Sequence, residues 1–258
     1  MKLLSVKYPV VVGMIKSLSE KGIFEEVERI RQDGADAYGF QLEGVREECK
    51  SREAMERIFS SMSDKPIYFT NYMRRNSTEG ITWERLEREI ILAAEMGASL
   101  IDIPGDMYSS SDMELTYDNS AIEKQMHFID RLHKMGVEVL MSSHVLRFVD
   151  SDTVLSIALE HERRGADVSK IVINTDTRDE LGDAFIASVK LSKMVEVGTL
   201  LLCNGEEART HRYLGPLFGS ALLLATENGI SGRQDQPTIK EAFEILKYGK
   251  LSGGGFFR

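Results

Sequence analysis

Short apolar runs alternate along the chain with longer segments of helical periodicity. In WERLEREIILAAEMG (83–97) and IEKQMHFIDRLHKMG (122–136), apolar residues recur every three or four positions, which is the spacing of one helix face. The apolar runs between such segments have the length of buried strands. We predict eight strands: VVVGMI (10–15), AYGFQL (37–42), PIYFT (66–70), SLIDI (99–103), VEVLMS (137–142), VSKIVI (168–173), TLLLC (199–203) and ALLLA (221–225).

A glycine separates several helical segments from the strand that follows. The pattern occurs at Gly34, Gly97, Gly136, Gly165 and Gly198. Glycine readily adopts the left-handed conformation that closes a helix, so we expect helix ends at these positions. A strand and a helix together take about 30 residues, the size of a βαβ step. Eight such units predict an α/β fold, the (β/α)8 barrel.

A doubly wound open sheet is the alternative fold. It is less favoured because no glycine-rich phosphate-binding sequence follows the first strand. No low-complexity linker divides the chain, so we predict one barrel domain over residues 1–258. The C-terminal segment KLSGGGFFR, roughly residues 250–258, is expected to be a flexible tail.

Composition and charge restrict the class of protein. The chain has 258 residues, of which 28% are charged, and its formal net charge is -9. Such an acidic chain is repelled by nucleic-acid phosphates, and no stretch approaches the roughly 20 apolar residues of a membrane span. The two cysteines, Cys49 and Cys203, lack metal-type spacing and fit a reducing compartment. We therefore expect a cytoplasmic protein that binds neither nucleic acid nor membrane.

Polar and ionisable residues recur where the predicted strands end. In a barrel, catalytic groups lie at the C-terminal ends of the strands and in the loops that follow them. This rule selects candidates from the third, fifth, sixth, seventh and eighth strands. They are Arg75, Glu79, His144, Lys170, Arg212, Ser231 and Gln236.

Lys170 is unusual because it interrupts an apolar strand, VSKIVI. A buried ammonium costs several kcal/mol unless it is paired, and its pKa falls in response. A neutral lysine is a good nucleophile toward ketones and aldehydes. The alternative is a structural lysine that pairs with a buried carboxylate or extends out of the barrel mouth. The strand alone leaves both interpretations open.

His144 ends the strand that precedes the one carrying Lys170. An imidazole beside an imine-forming lysine can remove and deliver protons near neutral pH. A single histidine at a strand end can also be structural. Its occurrence next to the Lys170 strand favours the catalytic interpretation.

Four segments of the sequence resemble the type I 3-dehydroquinate dehydratases, the Schiff-base enzymes of the shikimate pathway, which leads to the aromatic amino acids. The resemblance covers about residues 9 to 248. It is carried by GADVSKIVINTDTRDE (165–180), NGEEARTHRYLGPLFGSA (204–221), SSHV (142–145) and RNSTEG (75–80).

The resemblance implies a role for each candidate. Lys170 would form the imine, His144 would be the catalytic acid and base, and Glu79 would pair with the histidine. The binding residues would be Arg212 on the substrate carboxylate, Arg75 (or the neighbouring Arg74), Gln41, and the loop residues Ser231 and Gln236. The resemblance also implies a small keto substrate with a carboxylate, a homodimer, and neither a metal nor an organic cofactor.

The chain departs from the family pattern at its second strand. The family carries Glu and Arg where this chain has Gly39 and Gln41. Val145, His211, Asn204 and Pro104 also replace the usual residues. Each lost charged contact is worth about 1–3 kcal/mol. The chain therefore retains the residues of the imine chemistry better than those that would bind the substrate.

Three functions follow from these observations. The first is a lyase that dehydrates 3-dehydroquinate to 3-dehydroshikimate. The second is a Schiff-base barrel enzyme acting on a different keto compound, which Gly39 and Gln41 would favour. The third is a non-catalytic paralogue that binds a metabolite, which the retained Lys170 and His144 argue against.

Overall fold

A computed structural model describes residues 2–5, 9–72, 82–227 and 235–250. Within these residues the chain alternates eight strands with eight α-helices. The strands are β1 (Val10–Met14), β2 (Ala37–Gln41), β3 (Ile67–Thr70), β4 (Leu100–Pro104), β5 (Glu138–His144), β6 (Val168–Asn174), β7 (Gly198–Asn204) and β8 (Leu222–Ala225). The helices are α1 (Glu20–Gln32), α2 (Arg52–Ser61), α3 (Trp83–Glu95), α4 (Asn119–Lys134), α5 (Ser151–Arg163), α6 (Arg178–Met194), α7 (Ala208–Leu214) and α8 (Ile239–Lys250).

The strands form one parallel sheet in the order β7-β6-β5-β4-β3-β2-β1-β8. The two ends of this order approach each other, since the Ala221 N–H donates to the Thr199 carbonyl at 2.8 Å. The sheet is therefore a nearly closed barrel surrounded by helices. This confirms the predicted (β/α)8 architecture and all eight strands, and the open-sheet alternative is wrong.

Local sequence signals fix the helix boundaries. Ser19, Thr82 and Asp118 each accept a backbone N–H of the first turn of the helix that follows. Thr177 and Glu180 form a capping box at the start of α6. These capping residues are visible in the sequence and account for where the helices begin.

Four of the five predicted glycine stops have the expected conformation. Gly34, Gly97, Gly136 and Gly165 have φ between 83° and 100°. Gly198 is different, because it is the first residue of β7 and is absent from the positive-φ residues. A Cβ there would lie 3.0 Å from the Ala221 Cβ, so this glycine is required by close packing of β7 against the start of β8.

The core has two layers. Side chains that point into the barrel, including Val10, Val12, Leu100, Leu140 and Leu200, form one apolar cluster. The alternate side chains pack against the helices. Because strand residues alternate between these layers, a polar residue in the inward row must face the barrel interior or its mouth. None of the helices in the described ranges is long and apolar enough to cross a membrane.

Candidate active site

A cavity of about 230 Å³ opens at the C-terminal ends of the strands. Catalytic sites of barrels lie at this end. The cavity collects residues from most of the strands and from the loops after them. Its lining is Met14, Lys16, Gln41, Tyr72, Glu114, His144, Leu146, Lys170, Val172, Leu202, Asn204, Arg212, Leu224 and Gln236.

Lys170 points into this cavity from the middle of β6. Its side chain is 5% exposed, and its Nζ lies 3.0 Å from Oδ2 of Asp102, which is fully buried on β4. The lysine also donates to the Tyr68 hydroxyl at 3.2 Å. A buried ammonium needs such partners to offset its lost hydration. Lys170 thus pairs with a buried carboxylate and also faces a cavity, so both interpretations of the sequence describe part of its environment.

Tyr72 joins this group from the segment just after β3. Lys170 Nζ donates to the Tyr72 hydroxyl, and that hydroxyl donates to Asp102 Oδ2. Burial, with a further contribution from the Asp102 carboxylate, raises the pKa of both Tyr68 and Tyr72 well above the ordinary value. Both phenols are therefore protonated at neutral pH and act as hydrogen-bond donors to Asp102.

His144 lies on the adjacent strand, two residues beyond Ser142, which is opposite Lys170 in the β5–β6 register. Its Nδ1 is 2.8 Å from Oε1 of Glu114, whose side chain is 5% exposed. The Tyr72 ring meets the imidazole edge-on, with 4.8 Å between ring centroids. A carboxylate that accepts the Nδ1 proton leaves Nε2 as the basic nitrogen, so this contact orients the histidine for proton transfer.

Glu114 reaches His144 from the loop between β4 and α4. Its backbone is in the left-handed region, with φ of 51°, which is uncommon for glutamate. Gly105 permits this loop path, because a Cβ there would lie 2.7 Å from the Glu114 carbonyl oxygen. The Ser143 hydroxyl donates to that same carbonyl at 2.9 Å. Strained positions of this kind occur at functional sites.

Arg212 reaches the cavity from α7. Its guanidinium donates to the Cys203 carbonyl at 2.7 Å and to Asn204 Oδ1 at 2.9 Å. It also forms an ion pair with Asp235 at 3.1 Å. The arginine predicted to bind a carboxylate is thus held rigidly, and an acidic side chain of the protein lies beside it.

The second strand shows what replaces the two charged residues of the family. A Cβ on Gly39 would lie 2.2 Å from the Met14 sulfur, so the thioether fills the space of a larger side chain. Gln41 lines the cavity, and Lys16 donates to its Oε1 at 3.0 Å. A cation from the end of β1 therefore lies beside the neutral amide.

The remaining predicted residues divide into two groups. Gln236 lines the cavity, and its buried Nε2 has no hydrogen-bond partner within the described ranges, so it is a donor available to a ligand. Arg75, Arg74, Glu79 and Ser231 lie outside the described residues. In the part of the chain that the structure describes, no group of three or more His, Cys, Asp or Glu could hold a metal ion.

Sequence reasoning missed Lys16, Tyr72, Asp102 and Glu114. Lys16 and Tyr72 each follow a strand by two residues, and Glu114 lies in the loop after β4. The barrel rule that selected the other candidates would have included them. Asp102 carries the same signal as Lys170, because it is an ionisable residue inside an apolar strand.

Comparison with known proteins gives a consistent result. The family model described as type I 3-dehydroquinase matches residues 14–252. A 3-dehydroquinate dehydratase of Alkaliphilus oremlandii is 27% identical over 197 residues, which cover 76% of this chain and 72% of that protein.

Solved structures resemble the whole barrel. A 3-dehydroquinate dehydratase from Geobacillus kaustophilus superposes with a TM-score of 0.80 at 17% identity, covering 98% of this chain and 97% of the other. A type I 3-dehydroquinate dehydratase from Clostridium difficile, solved with covalently modified comenic acid, gives a TM-score of 0.79 at 19% identity and covers 93% and 92%. At these identities the superpositions show a shared fold.

Proposed function

Because the chain belongs to the type I 3-dehydroquinase family and is thus a carbon–oxygen lyase that dehydrates 3-dehydroquinate, we propose that it acts through an imine on Lys170. The predicted family, enzyme class and reaction are confirmed. The imine and the roles of individual residues are our proposal. The observation that carries it is a buried lysine facing a cavity that is also lined by His144 and Arg212.

The imine supplies the electron sink that the reaction needs. Lys170 Nζ attacks the ring ketone, and water leaves to give a protonated imine. The positive nitrogen acidifies the adjacent C–H. His144 takes that proton through Nε2, and the electrons of the C–H bond form an enamine.

Elimination completes the dehydration. The enamine electrons expel the hydroxyl group on the neighbouring carbon, and that group leaves as water with the proton that His144 carries. The protonated imine is regenerated, and its hydrolysis releases 3-dehydroshikimate and Lys170. Glu114 stabilises the imidazolium that forms between the two proton transfers, since its carboxylate is 2.8 Å from Nδ1.

The carboxylate of the substrate is assigned to the Arg212 side of the cavity. A guanidinium held by a carbonyl and an amide is preorganised for a bidentate partner. Gln236 supplies a neutral donor to a substrate oxygen. Arg75 and Ser231 keep the binding roles implied by the family resemblance. Glu79, which that resemblance places against the histidine, remains the alternative to Glu114.

The compartment and the assembly are proposals as well. We propose a cytoplasmic homodimer. Cysteine usage and an acidic composition support the compartment, and the family resemblance supports the dimer.

Borohydride trapping tests the imine. Wild-type protein mixed with 3-dehydroquinate and reduced should gain the mass of one adduct, which peptide mapping should place on Lys170. Lys170→Ala should gain no adduct and lose turnover by many orders of magnitude while its circular dichroism is unchanged.

His144→Ala is the matched control. It keeps the lysine, so the adduct should still form although turnover falls by about 10²–10⁴-fold. Substantial turnover by Lys170→Ala, or an adduct on another lysine, would exclude the imine mechanism.

A further inference from the structure

Lys170 cannot attack a ketone as an ammonium, which is the form that makes the ion pair with Asp102. An ammonium has no lone pair, so one proton must leave Nζ before the N–C bond forms. The carbonyl oxygen must later gain two protons to leave as water. Formation of the protonated imine from an ammonium and a ketone therefore moves two protons from nitrogen to oxygen. A side chain that contacts both atoms can carry these protons within the site.

Three side chains hold Lys170 Nζ by hydrogen bonds: Tyr68, Tyr72 and Asp102. Tyr68 and Asp102 are fully buried and are not among the residues that line the cavity. Tyr72 does line the cavity, with 6% of its surface exposed. Of the three, Tyr72 alone both binds Nζ through its hydroxyl and lines the cavity that a substrate carbonyl would enter.

The hydrogen bonds of Tyr72 also have a direction. Nζ donates to the phenolic oxygen, and the phenolic O–H donates to Asp102 Oδ2. Oδ1 of Asp102 is buried and has no hydrogen-bond partner within the described residues. The carboxylate is thus the acceptor at the end of a hydrogen-bond chain that begins at Nζ and passes through the hydroxyl of a residue that lines the cavity.

We propose that Tyr72 is a further catalytic residue, which with Asp102 carries the protons of imine formation from Lys170 to the substrate oxygen. The proposal rests on the imine chemistry proposed above. In this scheme Tyr72 and Asp102 transfer the protons of imine formation. His144 removes the proton from carbon and protonates the leaving hydroxyl group in the elimination.

The steps balance as follows. Asp102 takes one proton from Nζ, and the free amine attacks the carbonyl carbon while the C–O π electrons move to oxygen. Tyr72 gives its proton to that oxygen and regains one from Asp102. The nitrogen of the carbinolamine then passes a second proton to Asp102, and Tyr72 protonates the hydroxyl. Water leaves, the nitrogen lone pair forms the C=N bond, and Tyr72 and Asp102 return to their starting states.

The test is the rate of imine formation in two matched variants. Tyr72→Phe and Tyr68→Phe each remove one hydroxyl from the same lysine and the same carboxylate, but of the two residues only Tyr72 lines the cavity. Wild type and both variants are mixed with 3-dehydroquinate, quenched with borohydride at successive times and weighed intact. We expect Tyr72→Phe to form the adduct about 10²-fold more slowly. Tyr68→Phe loses a hydrogen bond to the same lysine and carboxylate and should be slowed by less than about tenfold.

The final level of adduct separates catalysis from positioning. A proton carrier changes the rates of imine formation and hydrolysis together, so Tyr72→Phe should reach the wild-type level at equilibrium. If the hydroxyl only holds the lysine in place, its removal should lower the final level of adduct. A wild-type rate in Tyr72→Phe, or a loss of final level, overturns the proposal for Tyr72 and leaves the imine on Lys170 standing. No adduct in wild type overturns both proposals.

A second measurement applies if Tyr72→Phe does not fold. The wild-type protein is mixed with 3-dehydroquinate in H₂O and in D₂O, and the adduct is followed as before. A relay through an O–H group predicts slower adduct formation in D₂O, and equal rates would overturn it.

Discussion

At the scale of single residues, the site is built from ionisable groups that are buried in pairs. Lys170, Asp102 and Glu114 are each at most 5% exposed, and His144 is 15% exposed. A buried ion pair contributes little to stability compared with apolar side chains of the same shape. Their presence inside the barrel mouth therefore supports a chemical role rather than a structural one.

Two glutamates are candidates for orienting His144. The structure places Glu114 on Nδ1, whereas the family resemblance assigns this role to Glu79. We expect Glu114→Gln to lower kcat about tenfold to hundredfold with little change in KM, because glutamine keeps the shape but cannot stabilise an imidazolium. Glu79→Gln is the comparison, with kcat and KM measured for both. A larger loss of kcat in Glu79→Gln would return the role to Glu79.

Lys16 brings a positive charge beside the neutral side chain of Gln41. Its ammonium lines the cavity and lies 3.0 Å from the Gln41 amide oxygen. We expect Lys16→Met to raise KM for 3-dehydroquinate about tenfold, equivalent to about 1.4 kcal/mol. It should leave kcat unchanged, since Lys16 takes no part in the proposed proton transfers and so contributes uniform binding.

The control for this variant is Lys21→Met on α1. Lys21 is also a surface lysine beside a carboxylate, but it is not among the residues that line the cavity. Its removal should change neither constant. Equal KM values for Lys16→Met and wild type would mean that the charge at the mouth of β1 does not reach the substrate.

At the scale of elements, the loop between β4 and α4 is held by one buried arginine. Arg164, whose side chain is fully buried, donates to the Gly105 carbonyl at 2.9 Å and to the Thr116 carbonyl at 2.5 Å. It also donates to Gln125 on α4 at 2.7 Å. These contacts span both ends of the loop that carries Glu114, so α5 positions a residue of the active site.

We expect Arg164→Leu to lower the free energy of unfolding by about 3–5 kcal/mol, because it leaves the buried Gly105 and Thr116 carbonyls without this donor and removes one of the two arginines that bind Glu160. Urea denaturation measures the change. Arg163→Leu is the matched control, since Arg163 is 55% exposed and binds the same Glu160; its cost should be within about 1 kcal/mol. Similar costs for the two variants would contradict the assigned role of Arg164.

At the scale of the whole molecule, two buried histidines couple stability to pH. Burial, with a smaller contribution from the Arg164 charge, lowers the pKa of His161 to about 3. Burial also lowers the pKa of His211 to about 4. In the unfolded chain each pKa is about 6.5. Between these values the unfolded chain binds protons that the folded protein excludes, so stability is present above about pH 6.5 and is lost as the pH falls.

We expect each histidine to contribute a slope of about 1.4 kcal/mol per pH unit across the range from about pH 6 to pH 4. The free energy of unfolding, measured by urea at successive pH values, should depend less on pH in His161→Asn and His211→Gln. His127 is exposed on α4, so His127→Gln is the control and should leave the slope unchanged. A wild-type slope in the two buried variants would contradict the depressed pKa values.

The sequence by itself determined the barrel and pointed to the two residues to which the proposed mechanism assigns the chemistry. Strand alternation, helix periodicity and helix caps are local signals, so they can be read from consecutive residues. Lys170 was predicted because an ionisable residue in an apolar strand conflicts with its surroundings, and His144 because it ends the neighbouring strand. Gly198 is the exception among the predicted helix ends. It lies in β7, where a side chain would crowd Ala221.

Only the tertiary structure decided which groups act on those two residues. Glu114 is 30 positions from His144, and Tyr72 is 98 positions from Lys170, so no local pattern connects them. Barrel closure brings the strand ends together, and the β4–α4 loop sets the reach of Glu114. Tertiary structure also pairs Arg212 with Asp235. It places the Met14 side chain in the space beside Gly39. Side-chain partnerships depend on distances across the barrel mouth, which the order of residues along the chain does not contain.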